Sequence, residues 1–351
     1  MRSFAIGDPA GPPIIGWDVG GVNLKAARLA DEALITAIQP FELQRAPDQL
    51  SAALADVAAR LHATPADLHA VTMTAELSQH FRTKRAGVAF VLDALAAALP
   101  GGAVHVWGTD GRFHTPAGAR AEPLSAAASN WMATAAFVAE RAPDAILVDV
   151  GSTTTDIIPI VEGKVAAVGR TDPERLSSGE LVYTGALRTP VEAVVRRVPL
   201  GSGHASVSAE GFALTADLHL WLGNLSAEDY TVPTPDGRPA TRAFAGERLA
   251  RVVCGDRDTV TERDVDRLAR AVAEAQIDDV AQGIRRVRER HPGLTTAVVT
   301  GLGDFIGVGA AARAGLRTVP LADVLGRDAA RAAPAAAAAH LLRRALGMTS
   351  A

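Results

Sequence analysis

Asp18-Val19-Gly20-Gly21 returns later in the chain as Asp149-Val150-Gly151-Ser152, and this repeat constrains the fold more than any other feature. Each copy follows an apolar, β-prone run and precedes another, so both read as strand–turn–strand hairpins. In register, Asn23 stands opposite Thr154 and Lys25 opposite Asp156. One acidic Gly turn is commonplace. Two in register imply two similar domains facing each other across a cleft, and 351 residues suffice for two cores.

The residue types explain what such turns can hold. A Gly-rich turn lets the backbone approach an anion, and its successive N–H groups form a concave nest. Gly20, Gly21 and Gly151 supply that backbone, and Ser152, Thr153, Thr154 and Thr155 add hydroxyl donors. Carboxylates beside a phosphate repel it unless a cation intervenes. Asp18, Asp149 and Asp156 therefore point to Mg²⁺, held directly or through water, and Lys25 can neutralise a phosphate by itself.

A third element, Val298-Val299-Thr300-Gly301-Leu302-Gly303-Asp304, reads as a strand entering a Gly-rich turn and then a helix. Such a turn either presses its backbone on a flat ligand or simply makes a tight connection. Around these motifs the apolar spacing predicts helices over 47–62, 87–99, 125–139 and 261–289, and strands over 70–74, 104–107 and 296–300. The alanine-rich segment 331–346 is a helix by propensity, expected to pack. Residues 177–239 are mixed and irregular in composition.

Bulk properties exclude several classes. A net charge of −4 argues against a general nucleic-acid binder. The most apolar run, 88–99, is interrupted by Asp93 and too short to span a bilayer. Residues 1–13 read as a loose tail without signal-peptide character, so the cytoplasm is the expected location. The one cysteine, Cys254, excludes an intramolecular disulfide and is expected to be a buried small hydrophobe. His80, His105, His114 and His204 have no metal-ligand spacing and read as surface or structural residues.

The two hairpins and the third Gly turn, in this order, resemble the two phosphate loops and the adenosine loop of the actin/Hsp70/sugar-kinase superfamily. Val71-Thr72-Met73-Thr74-Ala75-Glu76-Leu77, Ala128-Ser129-Asn130-Trp131 and Leu181-Val182-Tyr183-Thr184-Gly185-Ala186-Leu187-Arg188-Thr189-Pro190 narrow the likeness. Phe212-Ala213-Leu214-Thr215-Ala216-Asp217 and Cys254-Gly255-Asp256 extend it. Together they resemble the hydantoinase A/oxoprolinase-like branch, and within it the tetrahydromethanopterin-linked C1-transfer pathway proteins, a group with archaeal furan-methanamine synthases of methanofuran biosynthesis.

That resemblance implies an α/β fold of two ribonuclease H-like domains around a central cleft. It places the first at 1–128, completed by a C-terminal helix at 330–351, and the second at 129–329. It also implies a condensation: an aminomethylfuran methyl diphosphate joined to the phenol oxygen of a glutamylated tyramine or tyrosine, with loss of diphosphate. In that frame Asp18, Glu76 and Asp149 are the expected catalytic residues. Glu76 either takes the phenol proton or is an exposed helix-start residue favoured by the helix dipole. Lys84 and Arg85 bind diphosphate or a substrate carboxylate, or form a solvated basic face. Arg188 can grip diphosphate or the acceptor's carboxylate bidentately. Tyr183 stacks on a ring or packs in the core, and Asn130 and Trp131 touch the furan unless Trp131 is a core anchor. Asp256 reaches the cleft or caps a turn.

The same residues fit two other readings. An ATP-dependent small-molecule kinase or hydantoinase-like ATPase would hold ATP and Mg²⁺ on the hairpins, with Asp18 or Glu76 as base and adenosine on Gly301, Gly303 and Asp304. A nucleotide-switched binding protein ranks last, because the chain shows neither a peptide-binding domain nor a filament-forming insertion. ATP binding is left open, and a homo-oligomer is compatible with the sequence.

Overall fold

The repeated hairpins form the first two strands of two separate sheets. The computed structural model describes residues 11–30 and 33–348; the first ten residues of the stretch read as a loose tail lie outside them. The first sheet contains β1 (Ile14–Val19), β2 (Asn23–Ala30), β3 (Ala33–Pro40), β4 (Leu68–Met73), β5 (Val104–Trp107) and β6 (Phe113–His114), in the order β3-β2-β1-β4-β5-β6. β1 pairs antiparallel with β2 and parallel with β4, while β2–β3 is antiparallel and β4–β5 parallel.

The second sheet uses β7 (Ala145–Val150), β8 (Thr155–Val161), β9 (Lys164–Val165) and β10 (Leu181–Val182). A separate two-stranded hairpin, β11 (Arg197–Leu200) and β12 (Gly203–Ser206), intervenes before β13 (Thr296–Thr300) and β14 (Arg317–Pro320). The order is β10-β8-β7-β13-β14, with β9 added to β8. Both sheets thus run third, second, first, fourth, fifth along their main path, the ribonuclease H-like order. β1 and β7 are buried at every position, as strands covered on both faces must be.

Contacts divide the chain into two compact units. One comprises residues up to Leu147, Ile158–Arg175 and Val319 onward, and the other Val148–Ile157 and Leu176–Thr318. Each has its own apolar core. In the first, the helix Ala333–Ala345 lies on β1, β2 and β4. A Cβ on Gly16 would fall 1.8 Å from the Ala335 carbonyl oxygen, so the helix backbone rests directly on the strand. The alanine-rich end packs, as expected, and its small side chains permit the close approach. In the second, the 29-residue helix Glu262–Arg290 is capped by Thr261, whose side chain accepts the Asp264 N–H.

Two expectations need correction. The helix expected over 125–139 begins only at Asn130, because Ala128 takes a left-handed conformation (φ +50°) and breaks the chain after a short turn at Pro123–Ala126. Cys254 is exposed, not buried: it sits at φ +56° in the turn after the helix Arg242–Arg251, where the side chain is thrown outward. Asp256 caps the next turn, accepting the Thr259 hydroxyl at 2.8 Å and N–H at 3.0 Å. Among the described residues no helix is long and apolar enough to cross a membrane.

Candidate active site

In the first unit the β1–β2 turn is closed by the Gly20 N–H donating to the Asn23 carbonyl at 3.1 Å. A Cβ on Gly20 would stand 2.7 Å from that oxygen, so only glycine fits. Gly21 has open space beside it, with Ala75 Cα at 4.0 Å from a notional Cβ. Asp18 is buried and lies cross-strand from Lys25, whose ammonium is 3.8 Å from Oδ2. The side-chain oxygen of Asn23 is buried and has no hydrogen-bond partner among the described residues. The Thr74 N–H donates to Val19 O, tying the end of β4 to this hairpin.

Just past that bond the chain makes a 3₁₀ turn, Ala75–Leu77, and buries Glu76 to 1% exposure. Neither carboxyl oxygen has a full hydrogen-bond partner among the described residues. Burial, reinforced by nearby Asp172, pushes the Glu76 carboxyl up to about 7, against the pull of the Glu76 and Ala128 amides and of Lys84. The helix Lys84–Ala98 sits on this turn through Gly87, where a Cβ would be 2.6 Å from Glu76 Cα. The exposed helix-start alternative for Glu76 does not describe its surroundings.

Lys84 donates to Asp172 Oδ2 at 2.9 Å, and Arg175 donates to Oδ1 of the same carboxylate at 3.0 Å. Burial opposes the Asp172 charge, but the two cations outweigh it and hold its carboxyl below the ordinary range. The Arg175 guanidinium lies 4.6 Å from the centre of the Trp131 ring. Trp131 is fully buried and serves as a core anchor, whereas Asn130, opening the helix Asn130–Ala139, is half-buried. Buried Ser129 has a hydroxyl without a partner among the described residues.

The second unit repeats the hairpin geometry. The Gly151 N–H donates to Thr154 O at 2.9 Å, the counterpart of the Gly20–Asn23 bond. Asp149 and Asp156 are buried, and Ser152, Thr153 and Thr154 are half-buried. The Thr155 hydroxyl is committed to Thr184 O at 2.8 Å. The loop after β10 folds onto the nest: Ser152 O accepts the N–H groups of Leu187 and Arg188, each at 3.0 Å. Gly185 presses on Thr153, where a Cβ would be 2.6 Å from the backbone nitrogen. Tyr183 (60% exposed) and Arg188 project from the edges of this loop into solvent, so Tyr183 is not a core residue.

Gln276, from the middle of the helix Glu262–Arg290, secures the loop from beneath. Its amide N donates to Thr184 Oγ1 and to Gly185 O, both at 2.9 Å, and its oxygen faces His219 Nε2 at 2.8 Å. Burial holds the His219 imidazole at about 4, hence neutral, with Nε2 as the donor. The third Gly turn reaches the same hairpin: the Gly303 N–H donates to Val150 O at 2.9 Å. Gly301 takes φ +97°, and a Cβ there would meet Asp149 Oδ1 at 2.6 Å. Asp304 is exposed in the first turn of the helix Asp304–Arg313.

The structure thus brings 149–156, 183–188 and 301–304 together in one unit, and 18–25 beside the Glu76 turn in the other. Lys84 is engaged with Asp172. Asp172, Arg175 and Gln276 were not expected, since no local spacing marks them. Among the described residues no group of three or more His, Cys, Asp or Glu is gathered as a metal cage. Asp149 and Asp156 are hard oxygen donors beside an anion nest, a set that suits Mg²⁺ completing its shell with water and phosphate oxygens.

The hydantoinase/oxoprolinase family model matches residues 67–345. The chain is 35% identical over 334 residues to the (4-{4-[2-(γ-L-glutamylamino)ethyl]phenoxymethyl}furan-2-yl)methanamine synthase of Methanocaldococcus jannaschii, covering 95% of this chain and 98% of that protein. The Methanococcus vannielii protein of the same name is 41% identical over 161 residues, 46% of this chain and 72% of its own. Among solved structures, nucleotide-free acetone carboxylase superposes with a TM-score of 0.64 at 12% identity, over 94% of this chain and 70% of that one. That likeness concerns the fold alone.

Proposed function

This chain belongs to the hydantoinase/oxoprolinase family, and we propose that it forms a furfuryl aryl ether from a diphosphate ester and a phenol. The substrates are an aminomethylfuran methyl diphosphate and a γ-glutamylated tyramine or tyrosine, and the product belongs to methanofuran or methylofuran synthesis. The observation that carries this reading is the end-to-end match with a synthase named for a phenoxymethyl-furan product. The reading makes the protein a cytoplasmic transferase of tetrahydromethanopterin-linked C1 metabolism, without nucleic-acid or membrane partners.

The chemistry balances simply. The furan CH₂–O bond to diphosphate breaks, and the phenol oxygen bonds to that carbon. The phenol proton passes to the Glu76 carboxylate, and diphosphate leaves with the bond's electrons. A furfuryl carbon tolerates positive character because the ring oxygen donates into it, so the protein's main tasks are to receive the departing charge and exclude water.

Glu76 suits the proton transfer. A carboxyl titrating near 7 is a far better base at neutral pH than an ordinary one, and an oriented base contributes about 10²–10⁴-fold. The N–H groups of the Gly20–Gly21 turn and those of the Gly151–Ser152 turn are each suited to donate to phosphate oxygens, and the Lys25 ammonium adds a cation at the first. Mg²⁺ held by Asp149 and Asp156 would supply further neutralisation of the leaving group. Arg188 and Tyr183 offer an exposed guanidinium and ring to the acceptor's carboxylate and phenol.

The test is to incubate the protein and Mg²⁺ with the furan diphosphate and γ-glutamyltyramine or γ-glutamyltyrosine, without ATP. Mass spectrometry follows the ether and a phosphate assay the diphosphate. Ether matched by diphosphate is the expected result. No ether, with ATP consumed on addition of either substrate, overturns the reading in favour of a kinase or ATPase.

A further inference from the structure

Glu76 sits within electrostatic reach of the Lys84 ammonium, yet that ammonium is bonded elsewhere. A buried carboxylate ordinarily recruits a nearby cation, because an unpaired buried charge is costly. Here the cation is bound to Asp172, which Arg175 holds through its other oxygen. Arg175 is itself buried against the Trp131 ring, so the bridging carboxylate has a firm seat.

We infer that Asp172 is a positioning residue for Glu76: by keeping the Lys84 ammonium on its own carboxylate, it denies Glu76 a tight counter-ion and leaves that carboxyl able to exchange a proton with substrate. The inference rests on the reading of Glu76 as the base. Among the described residues, the charges that act on the Glu76 carboxyl are Lys84 and Asp172. The helix Lys84–Ala98 contributes Lys84, and the helix Asp172–Ser178 contributes Asp172 and Arg175. On the neighbouring β1–β2 hairpin, Asp18 is opposite Lys25. The segment before Asn130 contributes the Ala128 amide. Removing the Asp172 charge therefore releases Lys84 toward Glu76 and also withdraws a repelling anion, two effects of the same sign.

The experiment compares Asp172→Asn and Lys84→Met with the wild type in two readouts. One is the acidic limb of kcat/KM against pH. The other is the infrared carbonyl band of the protonated Glu76 carboxyl, identified by its loss in Glu76→Gln. Asp172→Asn should move both midpoints to lower pH, and Lys84→Met should move both to higher pH. A purely structural role would scale activity down at all pH values and leave the midpoints in place. Midpoints that stay fixed, or that move the same way in both variants, overturn the inference. Wild-type turnover in Glu76→Gln would instead overturn the base assignment, and the infrared midpoints would still report whether Asp172 governs the carboxyl.

Discussion

Gly301 lies against Asp149 so closely that a Cβ would stand 2.6 Å from the carboxylate oxygen and 2.3 Å from the neighbouring Val150 carbonyl. Glycine there is required twice over, since φ is +97°. The turn that resembled an adenosine loop therefore also buttresses the proposed metal-binding carboxylate. Gly301→Ala should cost about 2 kcal/mol or more from strain and overpacking. It should also lower turnover beyond what the remaining folded fraction explains. Thermal unfolding beside turnover at a temperature where the variant is folded separates the two. Unchanged specific activity in the folded variant would disconnect the turn from Asp149's role.

Glu76 makes an opposite demand on stability. Its carboxyl titrates near 7 in the folded protein and near 4.5 when exposed, so the native state binds the proton more tightly. Its contribution is complete below pH 4.5 and is lost as pH rises through 7. By pH 8 the buried anion costs on the order of 3 kcal/mol. Glu76→Gln should unfold at higher temperature than the wild type at pH 8, with little difference near pH 4, while losing about 10²-fold or more in turnover. Melting curves of both proteins across this range decide it. A variant less stable at pH 8 would mean the carboxylate has strong partners in solution.

The parts legible in the sequence are those fixed by local pattern. The duplicated hairpin needed no long-range information, because Asp-x-Gly after an apolar strand specifies its own turn, and the bonds Gly20–Asn23 and Gly151–Thr154 are the same bond made twice. Asp172 was invisible because its meaning lies in Lys84, 88 residues away. Gln276 was hidden in an amphipathic helix, where a polar residue reads as solvent-facing unless its partners are known. The break at Ala128 and the outward turn at Cys254 both rest on left-handed conformations of non-glycine residues, which composition does not signal.

Gln276 supplies a test of the loop that carries Tyr183 and Arg188. Gln276→Leu leaves Thr184, Gly185 and neutral His219 without their shared partner, at about 1–3 kcal/mol. The loop's bonds to Ser152 remain, so the nest stays in place while the Tyr183–Arg188 edge loosens. The expected signature is a raised KM for the phenolic acceptor, with KM for the diphosphate ester little changed. Equal rises in both constants would show that the network supports the nest as a whole.

The two hairpins differ at one charged position, and the proposed cation dependence is tested there. Asp18 faces Lys25 at 3.8 Å, whereas the position equivalent to Lys25 in the second hairpin is Asp156. The first hairpin carries a cation of its own, whereas the second sets two buried carboxylates beside an anion nest, donors that suit a divalent cation. Asp149→Ala should remain folded and lose about a hundredfold or more in turnover together with its response to Mg²⁺. Lys25→Met should instead raise KM for the diphosphate ester while turnover still responds to Mg²⁺. Turnover titrated against Mg²⁺ for each variant tells these apart. Wild-type activity in Asp149→Ala would remove the cation from the second hairpin altogether, and an abolished Mg²⁺ response in Lys25→Met would move it to the first.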